Sequence, residues 1–182
     1  MKFKKTQLPD AVLVELEPAR DERGFFARTF CVDEFAAQGL ETDYPQHSVS
    51  FSARRGTLRG MHFQRPPHAE VKLVRCLRGA VIDVIIDLRP KSPAYKKWQA
   101  FELTEANGHQ LYIPKGFAHG FQTLCDDVAV HYLISERYSP ASSTGVRFDD
   151  PEFAIDWPIA VSEISDKDRV WPDYADLLAV DL

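Results

Sequence analysis

From residue 71 onward, the apolar and polar positions fall into short β-branched and aromatic runs cut by Gly, Pro and Asn: Val71–Cys76, Ala80–Leu88, Trp98–Leu103, Gln110–Ile113, His119–Leu124 and Val128–Ser135. Runs of this length and spacing predict antiparallel strands in a sandwich or closed barrel. In Val128–Ser135 a period of two puts Val128, Val130, Tyr132 and Ile134 on one face, so Tyr132 is expected to point inward. A core tyrosine ordinarily satisfies its hydroxyl on the backbone. The alternation in Val71–Cys76 reads two ways. With Lys72, Val74 and Cys76 inside, an ammonium is carried into a polar pocket; with Val71 and Leu73 inside, that face is solvated. The strand alone leaves both open. Helical signals are few: Asp33–Gly39, with Asp33 as N-cap and Gly39 as stop, and the tail Tyr174–Val180. There is no strand–helix alternation, and neither GxGxxG nor GxxxxGK[ST] occurs, which argues against a doubly wound nucleotide fold. The expected architecture is all-β, a jelly roll or similar closed form over residues 1–182 as a single domain, with N-terminal strands beside it and a C-terminal excursion from about residue 140.

Composition narrows the partners. The chain has 182 residues, 45% hydrophobic and 27% charged, an ordinary globular balance, and a formal charge of −5 offers no field for nucleic acid. The basic start Met1-Lys2-Phe3-Lys4-Lys5 runs into Pro9, Asp10, Glu15 and Glu17 rather than an apolar stretch, so no export signal is expected. The longest apolar stretch, Ala80–Leu88, is interrupted by Asp83 and Asp87 and is far short of the ~20 residues a membrane-spanning helix needs. Cys31, Cys76 and Cys125 are odd in number and widely spaced, and are read as buried thiols.

Polar residues stand where apolar ones are expected. Leu58-Arg59-Gly60-Met61-His62-Phe63-Gln64 combines a cation, a histidine and an amide in what otherwise looks like a buried strand. Arg59 and Arg65 would suit an exposed edge; Leu58, Met61 and Phe63 argue against one. A second histidine, His119, follows a glycine turn in Pro114–Phe121. Two histidines, Lys72 and Tyr132 on neighbouring inward strands supply a base, an acid and a cation for developing enolate charge, the needs of a proton-transfer pocket. A metal centre fits less well, because His62 is followed by Phe63-Gln64 rather than a second histidine, and His68 falls in a turn where exposure is expected. No metal centre is expected.

Taken together, these segments resemble the dTDP-4-dehydrorhamnose 3,5-epimerases of deoxysugar biosynthesis. The likeness runs from about Val12 to Asp168 through Arg20–Phe26, Leu58–Gln64 with Pro66-Pro67, Lys72–Val74, Asp83-Val84, Asp87–Arg89, Ser92-Pro93, Pro114–Phe121, Asp156–Pro158 and Ser165–Asp168. The resemblance implies a cupin-like jelly-roll homodimer in the cytoplasm, without cofactor or metal, acting on a nucleotide-linked 4-keto-6-deoxyhexose. It implies His62 as base, held by Asp168; Tyr132 as the acid that protonates the opposite ring face; and Lys72 as the cation beside the C4 carbonyl oxygen. It further implies Arg59 and His119 as substrate-binding residues, Lys167 as a nucleotide-sugar contact, and Arg23 and Phe26 as residues of a strand that reaches across the dimer to the nucleotide.

The chain departs from the family's usual pattern at four positions. Arg28 stands in place of a glutamate on that N-terminal strand, Gln46 in place of an asparagine, Leu133 in place of a lysine and Ser143 in place of a glutamate. Arg28 and Gln46 are taken as substrate-binding candidates, the charge reversal at Arg28 weighing equally as a surface change and as altered recognition. A mono-epimerase, a 3,4-ketoisomerase and a non-catalytic sugar-binding jelly roll are the rival readings.

Overall fold

The computed structural model describes residues 1–178, and its architecture is the expected all-β jelly roll with a few short helices. The strands are β1 (Lys2–Lys5), β2 (Val12–Glu15), β3 (Ala19–Asp21), β4 (Gly24–Phe26), β5 (Gln46–Ser52), β6 (Thr57–Gln64), β7 (Lys72–Arg78), β8 (Ala80–Asp87), β9 (Trp98–Thr104), β10 (Gln110–Ile113), β11 (Phe117–Thr123), β12 (Val128–Ile134), β13 (Ser143–Gly145) and β14 (Glu163–Ile164). The helices are α1 (Val32–Ala37), α2 (Asp166–Arg169) and α3 (Tyr174–Leu178). The end of the expected helical tail, residues 179 and 180, lies outside the described residues.

One sheet runs β1-β2-β10-β7-β12-β5 and the other β13-β6-β11-β8-β9, with β14 added in parallel to β6; β3 and β4 form a separate hairpin. Between the sheets Val74, Cys76 and Val130 meet Val81, Ile85, Phe117 and Phe121. Each sheet is also covered on its outer face. Phe35 of α1 and Tyr44 bury Leu73 and Leu133 outside the first sheet, while Val146, Phe153 and Tyr174 bury Met61, Phe63 and Val84 outside the second. Strands buried on both faces lose their clean alternation. This is why Val71–Cys76 reads two ways: Leu73 and Val74 are both buried, against different layers.

Two local expectations are corrected. Asp33 lies in the first turn of α1 rather than at its cap; Cys31 occupies the cap and makes no side-chain capping bond. Asp33 and Glu34 instead place negative charge at the positive end of the helix. Of the three free cysteines only Cys76 is buried, whereas Cys31 and Cys125 are half-buried.

The second sheet carries the irregularity that shapes the molecule's main cleft. His62 pairs with His119 and Arg59 with Phe121, so β6 spends three residues where β11 spends two. The extra residue falls at Gly60-Met61, where Gly60 takes φ +139° and a Cβ would lie 2.5 Å from the Gly120 Cα. Such a bulge rotates the strand by one position, so side chains an odd number apart share a face. Arg59, His62 and Gln64 all point between the sheets as a result, while Met61 and Phe63 point out.

Candidate functional site

A cleft of about 550 Å³ opens between the sheets where their inward faces turn polar. It receives Gln46 and Ser50 from β5, Lys72 from β7 and Tyr132 from β12 of one sheet. The facing sheet contributes Arg59 and His62 from β6 and His119 from β11, and α2 adds Lys167 and Asp168. The volume suits a small-molecule ligand.

His62 Nε2 donates to Asp168 Oδ1 at 2.6 Å. Asp168 is nearly closed to solvent, and its second oxygen accepts from the Gly60 N–H at 3.3 Å. Burial alone pushes the Asp168 carboxyl up. The His62 bond and charge, with the bonds from Gly60 and Trp171, outweigh that and hold it below the usual carboxylate range. An ionised carboxylate accepting from Nε2–H leaves the lone pair on Nδ1, and the imidazole side chain is 40% exposed. The arrangement fixes the imidazole and, among the described residues, leaves Nδ1 free of a protein partner. Ser165 caps α2 by accepting from the Asp168 N–H at 3.1 Å, which fixes where the carboxylate projects.

Tyr132 comes from the opposite sheet. Its hydroxyl lies 3.1 Å from Ser50 Oγ, a side-chain partner rather than the backbone one expected of a core tyrosine. Burial pushes the phenol well above its ordinary value; the Ser50 bond opposes this, the Asp83 charge adds to it and Arg59 opposes it. Tyr132 stays protonated at neutral pH. Lys72 pairs with Glu70 at 2.9 Å, both side chains 12% exposed, and Gln64 Nε2 donates to the other Glu70 oxygen at 3.0 Å. The Glu70 carboxylate compensates the burial of this ammonium. His119 Nε2 lies 2.8 Å from Oδ2 of Asp83, which is fully buried. Burial pushes the Asp83 carboxyl up, against the charge and hydrogen bond of His119 and the charge of Lys72. Arg59 uses part of its fork on Ser52 Oγ and the Phe51 carbonyl. Among the described residues no group of three or more His, Cys, Asp or Glu side chains is gathered to hold a metal ion.

The cleft thus brings together His62, Asp168, Tyr132, Lys72, Arg59, His119, Gln46 and Lys167. Arg23, Phe26 and Arg28 do not join them. Arg23 pairs with Asp21 and Arg28 with Glu34, both solvent-facing, and Phe26 is 79% exposed on the β3–β4 hairpin. Of the departures from the family's pattern, Ser143 lines the cleft, Gln46 accepts from the Tyr138 N–H at 2.5 Å, and Leu133 is buried beneath α1 on the far side of its sheet. Sequence reasoning missed Glu70, Ser50 and Tyr138, and gave Asp83 no role. Asp83 had a signal, a carboxylate inside the apolar run Ala80–Leu88; Ser50 and Tyr138 had none.

Comparison with known proteins adds a third line of observation. A sequence model described as dTDP-4-dehydrorhamnose 3,5-epimerase matches residues 5–176. A dTDP-4-dehydrorhamnose 3,5-epimerase of Methanothermobacter thermautotrophicus is 43% identical over 173 residues, covering 93% of this chain and 92% of that one. The crystal structure of the Bacillus anthracis dTDP-4-dehydrorhamnose 3,5-epimerase with TDP and PPi bound superposes with a TM-score of 0.92 at 42% identity, covering 94% of this chain and 98% of that one. A dTDP-6-deoxy-D-glucose-3,5-epimerase of Legionella pneumophila, in complex with dTDP-4-keto-L-rhamnose, gives a TM-score of 0.89 at 34% identity, covering 94% and 92% of the two chains.

Proposed function

The chain belongs to the dTDP-4-dehydrorhamnose 3,5-epimerase family of isomerases, and from that premise we propose that it inverts C3 and C5 of a dTDP-linked 4-keto-6-deoxyhexose without a cofactor. The observation that carries the reading is the opposition of the His62–Asp168 pair, on one sheet and its flanking helix, to Tyr132 on the other. An epimerase needs that opposition, because proton removal and return on one ring face restores the starting configuration.

In this reading the 4-keto group acidifies the adjacent C–H. His62 Nδ1 takes the proton, and the C–H electron pair moves to form a C=C bond while the carbonyl π pair moves to O4 as an enolate. Lys72 stabilises the charge on O4, an electrostatic contribution worth most in a site that excludes water. Asp168 stabilises the imidazolium. The enolate collapses, the carbonyl re-forms, and Tyr132 delivers its proton to the opposite face. Ser50 and the Arg59 charge stabilise the phenolate left behind until it regains a proton. Arg59, His119, Gln46 and Lys167 bind the substrate, Arg59 through a phosphate oxygen. The His62 imidazolium releases its proton to solvent, and ring reorientation then presents the second carbon to the same groups in their starting protonation states.

Incubation with dTDP-4-keto-6-deoxyglucose in D2O, followed by NMR, tests the assignment. Deuterium is expected at both C3 and C5. Incorporation at one carbon alone would make the protein a mono-epimerase, and none at either, with folded protein, would sink the proposal.

We also read the protein as a cytoplasmic homodimer in which the β3–β4 hairpin of one copy reaches the cleft of the other, bringing Arg23, Phe26 and Arg28 to the nucleotide. Support comes from the hairpin itself, whose Phe25 and Phe26 are exposed and away from the cleft of their own chain, and from exposed Val49 and Phe51 on β5. Two adjacent exposed aromatics on a projecting hairpin suit a contact with a second copy. Sedimentation is expected to give twice the 20.7 kDa chain mass, and a monomer would remove the cross-dimer role. Among the described residues no helix is long and apolar enough to cross a membrane.

A further inference from the structure

Asp168 Oδ1 accepts two hydrogen bonds, from His62 Nε2 at 2.6 Å and from the Trp171 indole Nε1–H at 3.1 Å. Trp171 lies just beyond α2 and does not line the cleft. Its position is tightly set. A Cβ at Gly145 would fall 2.8 Å from the indole, Lys167 Nζ sits 5.0 Å from its ring centroid, and the ring meets the His62 imidazole edge-on at 6.2 Å. The protein's other two tryptophans, Trp98 and Trp157, donate to the backbone carbonyls of Phe153 and Phe148, the usual fate of a buried indole. Trp171 instead spends its only donor on the carboxylate oxygen that holds His62.

We propose that Trp171 is a positioning residue that sets the pH at which His62 takes up its proton, by sharing Asp168 Oδ1 with the imidazole. A carboxylate oxygen that already accepts a neutral donor carries less charge to offer an imidazolium. The indole therefore moderates the stabilisation that Asp168 gives to protonated His62, and at the same time fixes the carboxylate rotamer. The inference rests on the reading of His62 as the base.

The other charged or titratable groups around the imidazole come from several elements. Tyr138 lines the cleft from the loop after β12. His119 is the cross-strand partner of His62 on β11, backed by Asp83 from β8; β13 contributes Gly145 and no titratable group; α2 supplies Lys167 beside Asp168; Arg59 shares the strand of His62; and Lys72 with Glu70, and Tyr132, line the cleft from the opposite sheet. None of these side chains is itself altered by a substitution at Trp171. Trp171→Phe keeps an aromatic ring beside Gly145 and Lys167 while removing the Nε1–H donor together with part of the indole's bulk.

In Trp171→Phe the acid limb of the kcat/KM profile for dTDP-4-keto-6-deoxyglucose is expected to move to higher pH by about half a unit, roughly a threefold loss on that limb, with the plateau kcat and KM little changed. The wild-type protein supplies a second readout that does not depend on the variant folding. Of its three indole N–H resonances, that of Trp171 is expected to shift with pH, with the midpoint of the acid limb, while those of Trp98 and Trp157 stay fixed. An acid limb that superposes on the wild type, or a Trp171 resonance that stays flat through it, overturns the proposal. Full turnover in His62→Ala would remove His62 as the base, whereas the indole titration still reports whether Trp171, Asp168 and His62 are coupled, so the two failures are distinguishable.

Discussion

Replacing His62 with alanine is expected to lower kcat by about 10²–10⁴-fold, the usual scale for loss of a general base, while nucleotide-sugar binding survives. The imidazole is the group whose free nitrogen faces the cleft, and nothing beside it can take over. Asp168 is nearly closed to solvent, and its oxygens are committed to Gly60 N–H and Trp171 Nε1–H, which also keep it from being stranded when the imidazole goes. His119 is tied to Asp83 on the neighbouring strand. In the proposed reading binding rests on other side chains that line the cleft, Arg59 and Lys167 among them, so KM should move far less than kcat. Single-turnover kinetics together with deuterium uptake in D2O check this. Both C3 and C5 exchange should collapse together, as the proposed single base for both carbons requires. Exchange at the wild-type rate would show that another group removes the proton.

Tyr132→Phe is expected to divide the reaction in the other place. Deuterium should still enter at the abstracted position, because His62 and Lys72 are untouched, while completed inversion falls by about 10²-fold or more. In the proposed mechanism the phenol is the acid; it lies on the sheet opposite His62, and burial raises its pKa so that it is protonated at neutral pH. The variant loses one oxygen and the 3.1 Å contact with Ser50, and the ring remains to pack against the core. The β12–β7 and β12–β5 pairings should therefore hold, and a melting curve near that of the wild type would separate lost chemistry from lost structure. Following exchange and product configuration in the same NMR tube checks the prediction. Inversion at the original rate would remove Tyr132 as the acid. Together with His62→Ala, the result distinguishes proton removal from proton delivery on the two ring faces.

How legible the protein was depended on how local each signal is. The strands from residue 71 to 135 emerged within one to two residues because β-branched runs and turn residues report on their own backbone. Tyr132 was placed inward by its neighbours two positions away. β5, by contrast, lines the cleft with Gln46, Ser48, Val49 and Ser50, and its apolar Val49 and Phe51 are exposed. That is the inverse of a core strand, so the hydrophobic pattern hides it. Lys72 remained undecided because a strand covered on both faces has no polar side to anchor the register. The family likeness supplied roles for His62, Asp168 and Lys72, but the partners Glu70, Ser50 and Trp171 emerge only where separate strands and loops converge.

By itself the sequence determined an all-β chain, a buried β6 dense in polar groups, an inward Tyr132 and a set of residues suited to moving protons. All of these follow from periodicity and residue type within a few positions along the backbone. The tertiary structure decided which of those residues meet. Arg59 and His62, three apart and on opposite faces of any regular strand, share one face because β6 carries an extra residue at Gly60-Met61, where no side chain fits against Gly120. His62 meets Asp168 across 106 positions because β14 returns alongside β6 and leads into α2. The pattern along a strand fixes a side chain's direction, but its partner is fixed by how distant segments close around it.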